Sequence, residues 1–112
     1  MNGTIIIQGA QYYMPIQLFV GNTEITDANC DDLKIKLNRT ELKASTGDLV
    51  YGSYSLLGAT YSGWLFPLTQ AITLAMKAGK IPCQAQIQIG DAIIPTPITY
   101  IEVDATIIPE EW

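Results

Sequence analysis

Cys83-Gln84-Ala85-Gln86-Ile87-Gln88-Ile89 is the most regular stretch of the chain, with Cys83, Ala85, Ile87 and Ile89 at one set of alternate positions and three glutamines at the other. A two-residue repeat is the side-chain period of a β-strand, so one face is apolar and the other is polar without charge. Asp32-Leu33-Lys34-Ile35-Lys36-Leu37-Asn38 repeats the pattern, with Leu33, Ile35 and Leu37 inward and Lys34, Lys36 and Asn38 outward. Downstream, Thr99, Ile101, Val103, Ala105 and Ile107 alternate with Tyr100, Glu102, Asp104 and Thr106, which predicts a long final strand. Upstream, Ile16, Leu18 and Val20 share a face, and Gly21-Asn22 then turns the chain into Glu24-Ile25-Thr26, a hairpin signal. Leu33, Ile35, Leu37, Ile87, Ile89, Ile101 and Val103 are the expected core.

Weaker strand patterns are Thr4-Ile5-Ile6-Ile7-Gln8, Glu41-Leu42-Lys43-Ala44, Leu49-Val50-Tyr51 and Trp64-Leu65-Phe66. Gly90-Asp91 marks a hairpin into Ala92-Ile93-Ile94, and Pro95 and Pro97 place that segment at a sheet edge or a bulge. The glycine- and serine-rich residues 47–63 read as a long mobile loop. A single helical pattern covers residues 69–78: Thr69 caps its start, Leu68, Ile72, Ala75 and Met76 share a face, and Gly79 closes it in the left-handed region. Lys77 and Lys80 fall near its carboxyl end, where the helix dipole favours cations. Many short strands, one short helix and no strand–helix alternation predict one mainly β domain over residues 1–112, either a two-layer antiparallel sandwich or a partly open barrel.

Six basic against eleven acidic residues, a net charge of -5, argue against nucleic acid, whose phosphates are bound by Lys and Arg. The chain has no histidine, which removes the commonest general base and metal ligand, and no catalytic site or cofactor is expected. Cys30 and Cys83 are too few for a disulfide scaffold and read as free thiols. The amino-terminal stretch lacks the basic and apolar regions of a signal peptide, and no apolar run approaches the ~20 residues of a membrane span, so no membrane is expected. Without export, Asn2-Gly3-Thr4 and Asn38-Arg39-Thr40 are chance sequons.

Asp27, Asn29, Asp31 and Asp32 are oxygen donors without a calcium loop's spacing, and read as a solvated turn. Glu102 and Asp104 are neighbouring outward charges on one strand face. The Gln84, Gln86 and Gln88 stripe offers uncharged donors and acceptors, and a plain solvated face is the expectation there. Only 15% of residues are charged and the mean hydropathy is +0.20, so a domain this small carries more apolar surface than it can cover itself. A homo-oligomer, or a place in a larger assembly, follows. The candidate interface residues are Ile5, Ile6 and Ile7 in the first strand and Tyr51, Tyr54, Tyr61 and Trp64 in the aromatic group.

The order of Pro15-Ile16-Gln17-Leu18-Phe19-Val20-Gly21, the two strands that follow, Phe66-Pro67-Leu68-Thr69-Gln70-Ala71-Ile72-Thr73-Leu74-Ala75-Met76-Lys77-Ala78-Gly79 and the glutamine-striped strand resembles small structural proteins of tailed phages and prophages of Gram-positive bacteria. The amino-terminal domain of phage baseplate upper proteins is among them. The Phe66 to Gly79 segment carries most of the resemblance. It implies an antiparallel immunoglobulin-like β-sandwich with one short helix, acting without catalysis as a tail or baseplate building block. Its partners would be its own copies or other phage structural proteins, and its place the virion, assembled in the host bacterial cytoplasm. A small carbohydrate- or ligand-binding module is the competing reading, and predicts a groove lined by two or more of Tyr51, Tyr54, Tyr61 and Trp64.

Overall fold

The computed structural model describes residues 5–108 and 110–112. Along the described chain run β1 (Ile5–Ile7), β2 (Tyr12–Ile16), β3 (Phe19–Val20), β4 (Thr23–Glu24), β5 (Asp32–Leu37), β6 (Thr40–Lys43), β7 (Val50–Leu56), β8 (Ala59–Leu68), α1 (Gln70–Leu74), β9 (Gly79–Ile89), β10 (Ala92–Pro95) and β11 (Thr99–Asp104). Thr4 of the first predicted strand, and the sequon at Asn2, lie outside the described residues. The fold is mainly β with one short helix.

The glutamine-striped strand is the axis of the larger sheet, whose order is β1-β11-β9-β5-β6. On one side β9 pairs with β5, from Leu37 opposite Cys83 to Asp32 opposite Gln88. On the other, its first half pairs with β11 and its second half with β10, so two strands share one edge. β10, which ends at Pro95, pairs with β9 and with no other strand among the described residues, as an edge strand carrying proline should. The pairing is antiparallel except between β1 and β11, which run parallel with Ile6 opposite Val103. A wholly antiparallel sheet was the expectation, but no tight turn joins these strands, so their relative direction is free. A second sheet has the order β2-β8-β7, and β3 and β4 form the hairpin predicted at Gly21-Asn22.

Both sheets contribute to one buried cluster. Ile6, Leu33, Ile35, Leu37, Ile81, Cys83, Ala85, Ile87, Ile101 and Val103 come from the larger sheet; Met14, Ile16, Trp64, Phe66 and Leu68 come from the smaller. Of the expected core, Ile89 does not belong: at the last position of β9, beside the Gly90-Asp91 turn, it is 38% exposed.

Three other expectations are corrected. The helix is Gln70–Leu74, not residues 69–78. The Thr69 side chain does cap it, accepting from the Ile72 amide, but the Met76 amide turns to the Thr73 carbonyl at 3.2 Å, and the Met76 carbonyl accepts from Gln8 Nε2 at 2.7 Å, outside the helix. Gly79, at φ +118°, therefore opens β9 instead of closing the helix, and Lys77 and Lys80 stand outside it. Residues 47–63 are not a loop, because most of them form the β7–β8 hairpin, turned at Leu57 and Gly58 with both φ positive. Hydroxyl pairs hold this arm across its strands, Ser53 with Ser62 at 3.1 Å and Ser55 with Thr60 at 2.9 Å. The final strand stops at Asp104, since the Thr106 amide donates to Gln8 Oε1 at 3.1 Å and not to a sheet partner.

Candidate functional site

The seven candidate interface residues divide by burial. Ile6 is completely buried against the core, while Ile5 and Ile7 face outward at 46% and 54% exposure, on the side of Glu102 and Asp104. Trp64 is also withdrawn: its indole N–H donates to the Ile25 carbonyl at 2.9 Å and its ring meets Tyr51 edge-on at 5.6 Å. Tyr51 in turn donates its hydroxyl to Glu24 Oε2 at 2.7 Å, which pushes its phenol pKa up because ionisation would forfeit that bond. Ile6, Trp64 and Tyr51 are therefore structural. The first two are core residues, and the third is held by a carboxylate.

Of the other four, three converge, while Ile7 does not line the same surface. Ile5, Tyr54 and Tyr61 line one open groove of about 310 Å3 together with Tyr12, Tyr13, Met14, Pro15 and Leu56. Two of its lining residues, Tyr13 and Tyr54, form an edge-to-face pair with ring centres 5.6 Å apart at 62°. The arm reaches this position because β8 passes close to β2 at Gly63, where a glycine removes the side chain that would separate the two backbones. Tyr13 and Leu56, both half exposed, are the functional candidates missing from the sequence reading. Tyr12-Tyr13 beside the apolar Met14-Pro15 was the available signal.

A second surface lies on the outer face of the larger sheet, where Lys34, Lys36, Asn38, Glu41, Pro82, Gln84, Gln86 and Ile98 line a cleft of about 390 Å3. Here the glutamine stripe of β9 runs beside the lysines of β5. Lys34 and Glu41 form the one ion pair among the described residues, at 3.5 Å and well exposed, so it adds little stability.

The acidic turn before β5 is built for structure. Asn29 accepts from the Thr26 amide and donates to the Glu24 carbonyl, and Asp31 accepts from the Gly90 amide at 2.6 Å. Partial burial alone would raise the Asp32 carboxyl pKa, but bonds from the Ser45 hydroxyl, the Ser45 and Leu33 amides and the charge of Lys43 together lower it. Among the described residues no three His, Cys, Asp or Glu side chains sit where they could share a metal ion.

Both cysteines are free. Cys30 is half-buried and its Sγ–H donates to the Thr26 carbonyl at 3.3 Å; Cys83 is buried in the core. Burial raises both thiol pKa values, and at Cys30 the nearby Asp31, Asp32 and Asp27 add to the rise. The thiolate is the reactive form, so iodoacetamide at neutral pH should label Cys30 slowly, faster as the pH rises, and spare Cys83 until the protein is unfolded. Mass spectrometry after unfolding without reductant should then find both adducts. An unlabelled pair would mean that the thiols are oxidised.

No protein-family model, curated protein or solved structure matches the chain.

Proposed function

We propose that the chain is a non-catalytic structural or assembly protein of a tailed phage or prophage, a tail- or baseplate-associated building block with an immunoglobulin-like β-sandwich body. The observation that carries this reading is the convergence of Ile5, Tyr13, Tyr54, Leu56 and Tyr61 on one open surface, each at least partly exposed although apolar or aromatic. A small domain places such a surface in water at a cost, and aromatic residues around an uncharged centre are what protein interfaces use. The resemblance carried by the Phe66 to Gly79 segment supports the phage assignment. Two sheets sharing one core, with the short helix between β8 and β9, support the sandwich.

Light scattering behind size exclusion tests the assembly. At high micromolar concentration the protein should run as a species larger than its 12.3 kDa chain. Ile5→Lys together with Tyr61→Ser should stay folded, since both side chains are about half exposed, and associate more weakly than the parent. Ile6→Lys is unsuitable, because Ile6 is part of the core. A clean monomer for the parent at that concentration would overturn self-association.

The groove also favours the second reading, a carbohydrate- or ligand-binding module, since Tyr54 and Tyr61 line it with Tyr12 and Tyr13. Tyrosine rings stack on the apolar faces of sugars and hydrogen-bond their hydroxyls. A monomeric parent that binds an oligosaccharide in calorimetry, and loses it on Tyr54→Ala, would establish this reading in place of assembly.

A further inference from the structure

The chain's charges are unevenly placed. Four of its six basic residues, Lys34, Lys36, Arg39 and Lys43, fall within the β5–β6 hairpin of an otherwise acidic protein. Two of them, Lys34 and Lys36, line the cleft on the outer face of the larger sheet, against a single carboxylate, Glu41. The cleft also has amides, from Gln84 and Gln86, and apolar ground at Pro82 and Ile98.

The carboxyl-terminal segment has the complementary chemistry. Residues 105–108 and 110–112 form no helix or strand. Ile107 is 98% exposed, and Ile108 and Trp112 are also open to solvent. Glu110 and Glu111 are exposed, and no basic residue follows Asp104. On its own chain the segment is directed elsewhere: the Thr106 amide donates to Gln8, the Trp112 amide to Gln70 at 2.7 Å, and Glu111 and Trp112 lie by Gln11 and Gln70. None of those residues lines the cleft.

We infer that the carboxyl-terminal segment of one copy lies in the lysine–glutamine cleft of a second copy. Glu110 and Glu111 meet Lys34 and Lys36, Ile107, Ile108 and Trp112 cover Ile98 and Pro82, and the Gln86 amide, with the Gln84 carbonyl oxygen whose Nε2 already donates to Thr96, serves the extended backbone. Reciprocal exchange closes a dimer, whereas one-way exchange makes a ring or a chain. This inference rests on the assembly reading and names its partner as a second copy.

Charge reversal in two variants tests it. One carries Lys34→Glu with Lys36→Glu, the other Glu110→Lys with Glu111→Lys. All four side chains are at least partly exposed, so both variants should keep the parent's circular dichroism. Each alone should self-associate about tenfold or more weakly than the parent at low salt, and the parent's own association should weaken as salt rises. Mixing the two restores opposite charges at both contacts and should recover the parent's mass in light scattering. If each variant associates like the parent, the tail–cleft contact is wrong and the aromatic groove alone drives assembly; if each dissociates and the mixture stays dissociated, the pairing of tail with cleft is wrong. A parent that is monomeric at high micromolar concentration would remove both claims.

Discussion

Ile87→Asp should lower the melting temperature by about 15 °C or more, since an uncompensated carboxylate in this position costs about 4 kcal/mol and each kcal/mol is worth about 4 °C in a domain of ~100 residues. Ile87 has no exposed surface, and it lies between Leu33 of β5 and Ile94 of β10 on the central strand of the larger sheet. No basic side chain shares that core to pair with the new charge. Ile93→Asp is the internal control. One position from Ile94 on the same edge strand, Ile93 is 58% exposed, so the same substitution should shift melting by only a few degrees. Scanning calorimetry decides it, and an Ile87→Asp variant melting within about 2 °C of the parent would mean that this face is not buried.

Gly63→Ala should be the second severe change, costing about 2–4 kcal/mol although it adds one methyl group. A Cβ built on Gly63 would stand 2.8 Å from the Ile16 carbonyl oxygen, 3.0 Å from its carbon and 3.1 Å from its nitrogen. All three are backbone atoms, so no rotamer change relieves the contact; β2 and β8 must separate. The φ of +156° adds a conformation that side chains rarely adopt. Gly52, directly opposite in the arm, would meet only the Leu65 side chain at 3.8 Å, and Gly52→Ala should be close to neutral. Urea midpoints for the pair measure the difference. Equal stabilities for the two variants would show that β2 and β8 do not approach so closely. Because the arm's position depends on this crossing, Gly63→Ala should also speed amide exchange from Ser53 to Ser62 more than elsewhere.

Several elements were legible because their cause is local. Period-two alternation in β5 and β9 needs only one buried and one solvated face, so Leu33, Ile35, Leu37 and Ile87 could be assigned inward without knowing any partner strand. The turns at Gly21-Asn22 and Gly90-Asp91, and the Thr69 cap, depend on residues within three or four positions of each other. The helix length was not legible, since the Met76 carbonyl just past its end is held by Gln8, 68 residues away.

The candidate site was half legible for the same reason. Composition indicated surplus apolar surface, and the isoleucine run and the aromatic group were its sources. An unbroken Ile5-Ile6-Ile7 run has no alternation to orient it; the parallel register with β11 puts Ile6 beside Val103 in the core and leaves Ile5 and Ile7 outside. Tyr61 and Trp64 are equally suitable anchors as residue types. Their opposite fates follow the end of the β2–β8 pairing at Trp64 opposite Ile16, beyond which β8 continues paired with β7. The sequence by itself determined a β-rich chain, its main strands and their inward faces, because burial with a fixed period is written residue by residue. Only the tertiary structure decided that Ile5, Tyr13, Tyr54, Leu56 and Tyr61 form one surface, because their proximity depends on strand order and on a close backbone crossing that no local pattern encodes.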